Sequence, residues 1–128
     1  MAIPYVLTQK GNPADPAAPR KFYAQAKAGG VLTLRKLSRI IAEGSTTVSD
    51  TDVLAVLNDL TKILRRHLEN GDIVRFGDFG SFQITLSSAG ADTADQFHSS
   101  LIKKGKITFR PGIDLKEMLA VLKYEKRK

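Results

Sequence analysis

The chain has 128 residues, 42% of them hydrophobic, and a formal net charge of +7. This length favours one domain with a modest core, and the apolar fraction argues against wholesale disorder. The absence of cysteine excludes disulfides, thiolate nucleophiles and cysteine-ligated zinc. With no apolar run of about 18 residues and no signal-peptide pattern, we expect no membrane-spanning segment.

The positive charge is unevenly distributed. Residues 101–128 carry nine Lys or Arg against three acids, residues 33–100 carry seven against nine, and residues 1–32 carry four against one. A concentrated basic surface is typical of proteins that bind polyanions, above all nucleic acid. The alternatives are an anionic membrane surface, which we do not predict as a partner, and a basic face that only maintains solubility.

The first 32 residues are interpreted as an N-terminal extension, followed by the main domain over 33–128. Two short strands are predicted in "IPYVLTQ" and "RKFYAQAK". The connector between them, "GNPADPAAP", holds three prolines and a glycine, which are typical of irregular loops.

Two amphipathic helices are predicted next. The first begins after Thr33 and ends at Gly44, and the second begins after Ser49, whose side chain is expected to cap it. Asn70-Gly71 ends the second helix. The apolar residues at helical spacing are Leu34, Leu37, Ile40 and Ile41 in the first helix and Val53, Val56, Leu57, Leu60, Ile63, Leu64 and Leu68 in the second.

These apolar stripes are long compared with the few strands that follow to cover them. A second copy of the chain would bury them across a two-fold axis. We therefore expect a homodimer.

The sequence period changes to that of strands after residue 72. In "GDIVRFGDFGSFQITL" (71–86), Gly77 and Gly80 predict a tight strand–turn–strand corner, because glycine adopts positive φ without steric cost. A polar stretch over 87–95 follows, then a strand over 106–112 and a C-terminal helix over 114–128. The predicted fold class is α+β.

Two motifs carry a resemblance to a known family. "NGDIVRFGDFGSFQI" resembles the helix-to-sheet corner of the HU/IHF family of bacterial histone-like DNA-binding proteins. "ITFRPGIDLKEML" resembles the return strand and C-terminal helix of that family, and its matching residues are Phe109, Pro111, Gly112, Leu115 and Lys116. The resemblance covers residues 33–86 and 106–124, and it is that of a divergent, longer variant.

The resemblance implies a fold and a function. The fold is an intertwined dimer with two N-terminal helices, a three-stranded antiparallel sheet with a β-arm, and a C-terminal helix. The implied function is binding of double-stranded DNA in the bacterial cytoplasm and nucleoid, without enzymatic activity. The arms reach into the minor groove, phosphate contacts line a basic saddle, and sequence preference is weak.

The chain departs from the family pattern at the arm. No Arg-Asn-Pro tripeptide occurs between Thr85 and Lys106, and the first half of that segment carries Asp92 and Asp95 without any Lys or Arg. Phosphate repels an acidic tip, which argues against intercalation and strong kinking. Ile113 stands where the family often has lysine.

Six cations are predicted to contact DNA: Arg75, Lys103, Lys104, Lys106, Arg110 and Lys116. The alternative for the strand lysines is a solvated edge that prevents edge-to-edge pairing. Four phenylalanines are predicted to fill the core, with stacking on bases as the alternative: Phe76, Phe79, Phe82 and Phe109.

No catalytic, metal or cofactor site is expected, nor a small-molecule substrate. The two histidines, His67 and His98, belong to separate elements and have no third ligand near them in sequence. The acidic arm leaves one rival open, namely an HU-like protein-interaction or scaffold module that has lost strong DNA binding.

Overall fold

The structure, a computed structural model, describes residues 1–44 and 47–127. The chain divides into two compact units, one made of Met1–Thr33 with Leu119–Lys128 and the other of Leu34–Met118. We call the first the sheet unit and the second the helical unit. None of the helices in the described ranges has the length and hydropathy that crossing a bilayer requires.

The elements follow one another in a mixed order. They are β1 (Ile3–Lys10), β2 (Lys21–Ala26), α1 (Leu34–Gly44), α2 (Asp50–Glu69), β3 (Val74–Arg75), β4 (Gly80–Ser88), β5 (Ile102–Pro111), α3 (Ile113–Ala120) and β6 (Tyr124–Lys126). The predicted α+β class is confirmed.

The sheet unit contains a three-stranded sheet in the order β2-β1-β6. β1 and β2 form an antiparallel hairpin, in which Tyr5 lies opposite Ala26 and Lys10 lies opposite Lys21. The side chain of Asn12 accepts a hydrogen bond from the backbone N–H of Ala14 at 2.9 Å and tightens the loop between them. Both predicted strands and their proline-rich connector are therefore confirmed.

The prediction of one continuous helix over 114–128 is wrong in its second half. α3 ends at Ala120, and β6 pairs in parallel with the start of β1, where Ile3 lies opposite Tyr124. The N–H of Ile3 donates to the carbonyl of Lys123 at 2.7 Å, and the N–H of Arg127 donates to the carbonyl of Tyr5 at 2.7 Å. Pairing between distant segments overrides the local helical pattern here.

The helix boundaries follow the predicted local signals. The Ser49 hydroxyl accepts a hydrogen bond from the N–H of Asp52 at 3.2 Å, which caps α2. At the other end Asn70 is the C-cap. Gly71 follows with a φ of 86°, which is the left-handed backbone conformation in which α-helices commonly end.

The broad apolar stripe of α2 divides into two. Val53 is buried, and Leu57, Leu64 and Leu68 are half-buried on the side that faces the rest of the helical unit. A second row, which we call the outer stripe, stays exposed: Val56 at 66%, Leu60 at 37% and Ile63 at 49%. The single chain therefore leaves a continuous apolar face of its longest helix open.

The helical unit also holds the antiparallel sheet β3-β4-β5. β4 and β5 form a long hairpin, in which Phe82 lies opposite Phe109 and Ile84 opposite Ile107. β5 begins at Ile102, earlier than the predicted strand over 106–112. The residues that join the two strands contain two 3-10 turns, Ala94–Gln96 and Ser99–Leu101.

Four phenylalanine rings pack together at the corner that precedes β4. The ring centroids of Phe82 and Phe109 are 4.8 Å apart, those of Phe76 and Phe82 are 5.6 Å apart, and those of Phe79 and Phe109 are 5.8 Å apart. The rings pack against one another at tilted or edge-on angles, as side chains of a core do. Phe79 and Phe109 nevertheless remain 46% and 37% exposed in the single chain.

Two glycines let backbone segments approach closely at this corner. A Cβ on Gly80, whose φ is +157°, would lie 2.5 Å from Cζ of Phe109 and 2.6 Å from the carbonyl oxygen of Arg110. A Cβ on Gly112 would collide with the backbone of Asp78. Glycine is therefore required where β4 begins and where β5 ends, because no side chain fits there.

We expect Gly80→Ala to destabilise the protein by roughly 1–3 kcal/mol, since the added methyl group meets a backbone oxygen and an aromatic ring. Gly90→Ala is the matched control, because nothing lies within 4 Å of a Cβ at Gly90. Urea unfolding of both variants measures the difference. Equal free energies of unfolding for the two variants would show that the close approach at Gly80 does not contribute to stability.

Candidate nucleic-acid interface

The register of the β4–β5 hairpin sorts its side chains onto two faces. One face carries Phe82 and Ile84 with their cross-strand partners Phe109 and Ile107. The part of this face at Phe82 and Ile84 borders α2 across a cleft of about 650 Å³ that Leu64 also lines, whereas Ile107 stays 69% exposed. The opposite face of the hairpin therefore points away from α2.

The opposite face, which we call the polar face, consists of nine residues that alternate with the apolar ones. Its hydroxyl groups meet across the strands, since Oγ1 of Thr85 and Oγ1 of Thr108 are 3.3 Å apart. None of the nine residues is acidic. They are Arg75, Ser81, Gln83, Thr85, Ser87, Lys104, Lys106, Thr108 and Arg110.

The four cations of the polar face form an extended row. Arg75 and Arg110 flank Ser81, with which both pair, while Lys106 and Lys104 lie further along the hairpin. Six residues of strand separate Arg110 from Lys104, a span of about 20 Å. All four side chains are exposed, and the hydroxyl and amide groups between them add neutral donors. Lys, Arg, Ser, Thr and Gln are the side chains that commonly contact DNA phosphates.

Two of the six predicted contact residues lie outside this row. Lys103 is the extra residue at a β-bulge, because Ser87 pairs with Lys104 and Ser88 pairs with Ile102. Lys116 lies on α3, where its N–H donates to the carbonyl of Gly112 at 3.0 Å. The structure thus brings Arg75, Lys104, Lys106 and Arg110 onto one face, and it places the other two elsewhere.

The neutral members of the polar face were not among the predicted site residues. The signal that identifies Ser81, Gln83 and Thr85 is their alternation with Phe82 and Ile84 in β4. Their cross-strand partners follow only from the register, which the sequence alone does not reveal.

The acidic residues of the arm are separate from its cations. Asp95 lies in the first 3-10 turn, which the Thr93 hydroxyl caps by accepting a hydrogen bond from the N–H of Gln96 at 3.3 Å. Asp92 lies just before it, in the loop beyond the paired strands. The hairpin is therefore basic along its paired length and acidic at its loop.

No group of His, Asp or Glu within the described ranges is arranged to hold a metal ion. Nδ1 of His67 lies 2.8 Å from Oδ2 of Asp72 and joins the end of α2 to the following turn. His98 precedes the second 3-10 turn, so the two histidines stand in different elements.

The chain matches the model of a known protein family. A family model described as an HU domain fused to wHTH, Ig, or glycine-rich motif matches residues 1–126. A comparison with curated proteins found no match.

Several solved structures share the fold, among them the following two. The first is a putative bacterial DNA-binding protein from Bacteroides vulgatus ATCC 8482, with a TM-score of 0.64 and 10% identity over 98% of this chain and 48% of that one. This chain therefore spans about half the length of that protein. The second is Anabaena HU in a cocrystal with DNA, with a TM-score of 0.55 and 19% identity over 70% of this chain and 99% of that one.

Proposed function

Since the chain belongs to the family of HU domains fused to a wHTH, Ig or glycine-rich motif, we propose that it is a non-enzymatic architectural protein that binds double-stranded DNA. In this proposal a homodimer contacts the phosphate backbone through the polar faces of its hairpins, in the bacterial nucleoid. The observation that carries the proposal is the row of four exposed cations without an acid among them.

The placement of charge, rather than its total, supports DNA binding by the helical unit. This unit carries twelve Lys or Arg against eleven acids, a net charge of only +1. Four of its cations lie on one hairpin face, whereas its acids lie elsewhere, for example at Asp50 and Asp52 in the first turn of α2. Phosphate contacts of this kind are independent of base sequence, so we expect weak sequence preference.

The exposed surface of the single chain supports the homodimer. The described chain exposes 10764 Å². Two separate compact units of these sizes would expose roughly 8,000 Å² by the usual scaling of surface with mass. The outer stripe contributes to this excess, and a second copy that packs on it would bury apolar surface and bring two hairpins together.

The acidic loop shapes how the hairpins meet DNA. In the proposal they run along the minor groove with their paired, basic portions against phosphate, and repulsion holds Asp92 and Asp95 away from the backbone. The described arm offers no proline in its loop to wedge between base steps. We therefore expect binding with modest bending.

The same loop favours a second candidate function. An HU-like scaffold module that has lost strong DNA binding would retain the dimer and use the acidic loop for a protein partner. The two candidates differ in whether the lysines of the polar face matter for DNA affinity.

We expect Lys104→Ala/Lys106→Ala to weaken duplex binding for all sequences and to reduce the slope of log K against log salt by about two for each hairpin engaged. Lys62→Ala, which removes a charge from α2, is the matched control and should change neither quantity. Fluorescence anisotropy with a labelled duplex at several salt concentrations measures both. If the double variant binds as the control does, the scaffold function replaces DNA binding.

We expect Leu60→Asp to dissociate the dimer, because it places a charge in the outer stripe, whereas Asn58→Asp adds the same charge to a polar position of α2. Sedimentation equilibrium should show a dimer for the parent protein and for Asn58→Asp. The melting temperature of both should rise with concentration, as for folding linked to association. A monomeric, fully folded parent protein would refute the dimer.

A further inference from the structure

The sheet unit carries nearly all of the net charge of the protein. Its 43 residues hold eight Lys or Arg against two acids, which gives +6 of the total of +7. The basic end of the chain thus divides between the units: Lys103 to Lys116 lie in the helical unit, and Lys123 to Lys128 belong to the sheet unit. The proposed binding of duplex DNA by the polar face does not use this second concentration of charge.

Among the described residues, no cation of the sheet unit forms an ion pair with an acid of that unit. The ion pairs formed among the described residues lie in the helical unit, for example Arg39 with Asp50 at 3.9 Å and Arg65 with Glu69 at 3.6 Å. In the sheet unit, Lys10 lies directly opposite Lys21 in the ladder. Like charges in that position destabilise a sheet unless an anion lies between them or nearby.

One face of this sheet is lined with exposed aromatic and aliphatic side chains. We call it the aromatic face, and its apolar members by strand register are Ile3, Tyr5, Leu7, Phe22, Ala24, Ala26 and Tyr124. Phe22 and Tyr124 are 66% and 67% exposed. A cleft of about 580 Å³ lies on this face.

Cations lie at both ends of this sheet, and Lys126 is the one that shares the aromatic face by register. At one end, Lys126 lies opposite Tyr5, and Arg127 donates its N–H to the carbonyl of Tyr5. At the other end Lys10 and Lys21 pair with each other, and because side chains alternate along a strand they belong to the opposite face, with Thr8 and Tyr23. Four residues of β1 separate Tyr5 from Gln9, the partner of Phe22, a distance of about 13 Å, which is long enough for a few nucleotides.

We propose that the sheet unit is a second nucleic-acid-binding element, which takes unpaired bases of single-stranded nucleic acid. The bases stack on Phe22, Tyr5 and Tyr124, while Lys126 contacts a phosphate and the net positive charge of the unit attracts the strand. Exposed aromatic side chains on a sheet, with positive charge around them, are the combination that binds single strands with little sequence preference. A duplex keeps its bases stacked internally, so this ligand differs from that of the polar face.

Tyrosine fluorescence can report on the aromatic face once Tyr23 is replaced. The chain has no tryptophan, and its three tyrosines all belong to the sheet unit: Tyr5, Tyr23 and Tyr124. Tyr23 pairs with Thr8 on the opposite face of the sheet. Stacking of a base on a tyrosine quenches its emission, and replacement of tyrosine by phenylalanine removes the signal while it keeps a stacking ring.

The first experiment titrates two full-length variants with oligothymidylate of about 12 nucleotides. Tyr23→Phe leaves its tyrosines on the aromatic face, so its emission should fall on binding. Tyr5→Phe/Tyr124→Phe leaves only Tyr23, so it should bind with unchanged affinity and little quenching. Equal quenching in both variants, or no binding by either, would overturn the proposal. Oligouridylate in a parallel titration shows whether DNA or RNA is preferred.

The second experiment removes the stacking surface. Phe22→Ala/Tyr124→Ala should weaken oligothymidylate binding at least about fivefold and up to about a hundredfold, as measured by anisotropy. Tyr23→Ala is the control and should change affinity less than about twofold. An equal effect of the two variants would contradict stacking on the aromatic face.

These tests distinguish the proposed duplex site from the proposed single-strand site. Phe22→Ala/Tyr124→Ala should leave the salt dependence of duplex binding intact, and Lys104→Ala/Lys106→Ala should leave oligothymidylate quenching intact. Loss of quenching in the lysine variant would mean that the single strand binds the polar face, which would overturn the assignment to the sheet unit. Failure of duplex binding alone would leave that assignment standing.

Discussion

The pairing of β4 with β5 is the constraint on which the rest of the helical unit depends. Because side chains alternate along a strand, the register that sets Phe82 opposite Phe109 also sets Thr85 opposite Lys106. A slip of one residue would turn the cations toward α2 and the phenylalanines toward solvent. The close backbone approaches at Gly80 and Gly112 hold the corner where this register begins. Packing of the aromatic rings and exposure of the cationic row are thus two results of one hairpin alignment.

Under the two proposals, the two units attract a nucleic acid through different arrangements of charge. In the helical unit, acids and bases nearly balance, and attraction for a polyanion comes from their separation onto different surfaces. In the sheet unit, the bases far exceed the acids, and attraction comes from net charge combined with exposed aromatic rings. Under both proposals electrostatic attraction steers association, and the aromatic face, unlike the polar face, offers rings on which a free base can stack.

The sequence predicted what local chemistry determines. The cap at Ser49, the helix end at Gly71 and the glycine corner before β4 all follow from side chains or φ angles within a few residues of each other. The strand at Tyr124–Lys126 was not predicted, because it forms by pairing with β1 at the other end of the chain. The spacing of apolar residues within one segment carries no information on such long-range pairing. Likewise, the helical spacing in α2 identified its apolar residues, but it did not predict that Val56 is exposed while Leu57 is half-buried. Of the proposed DNA contacts, four share a face and two do not, since a β-bulge at Lys103 and a turn into α3 intervene.

Lysine acetylation rates measured by mass spectrometry, with and without a saturating DNA duplex, test the central claim most directly. If the polar face binds the phosphate backbone, Lys104 and Lys106 become protected in the complex, while Lys62 on α2 reacts at the same rate in both states. Unchanged rates at Lys104 and Lys106 in a demonstrably DNA-bound sample would contradict the claim.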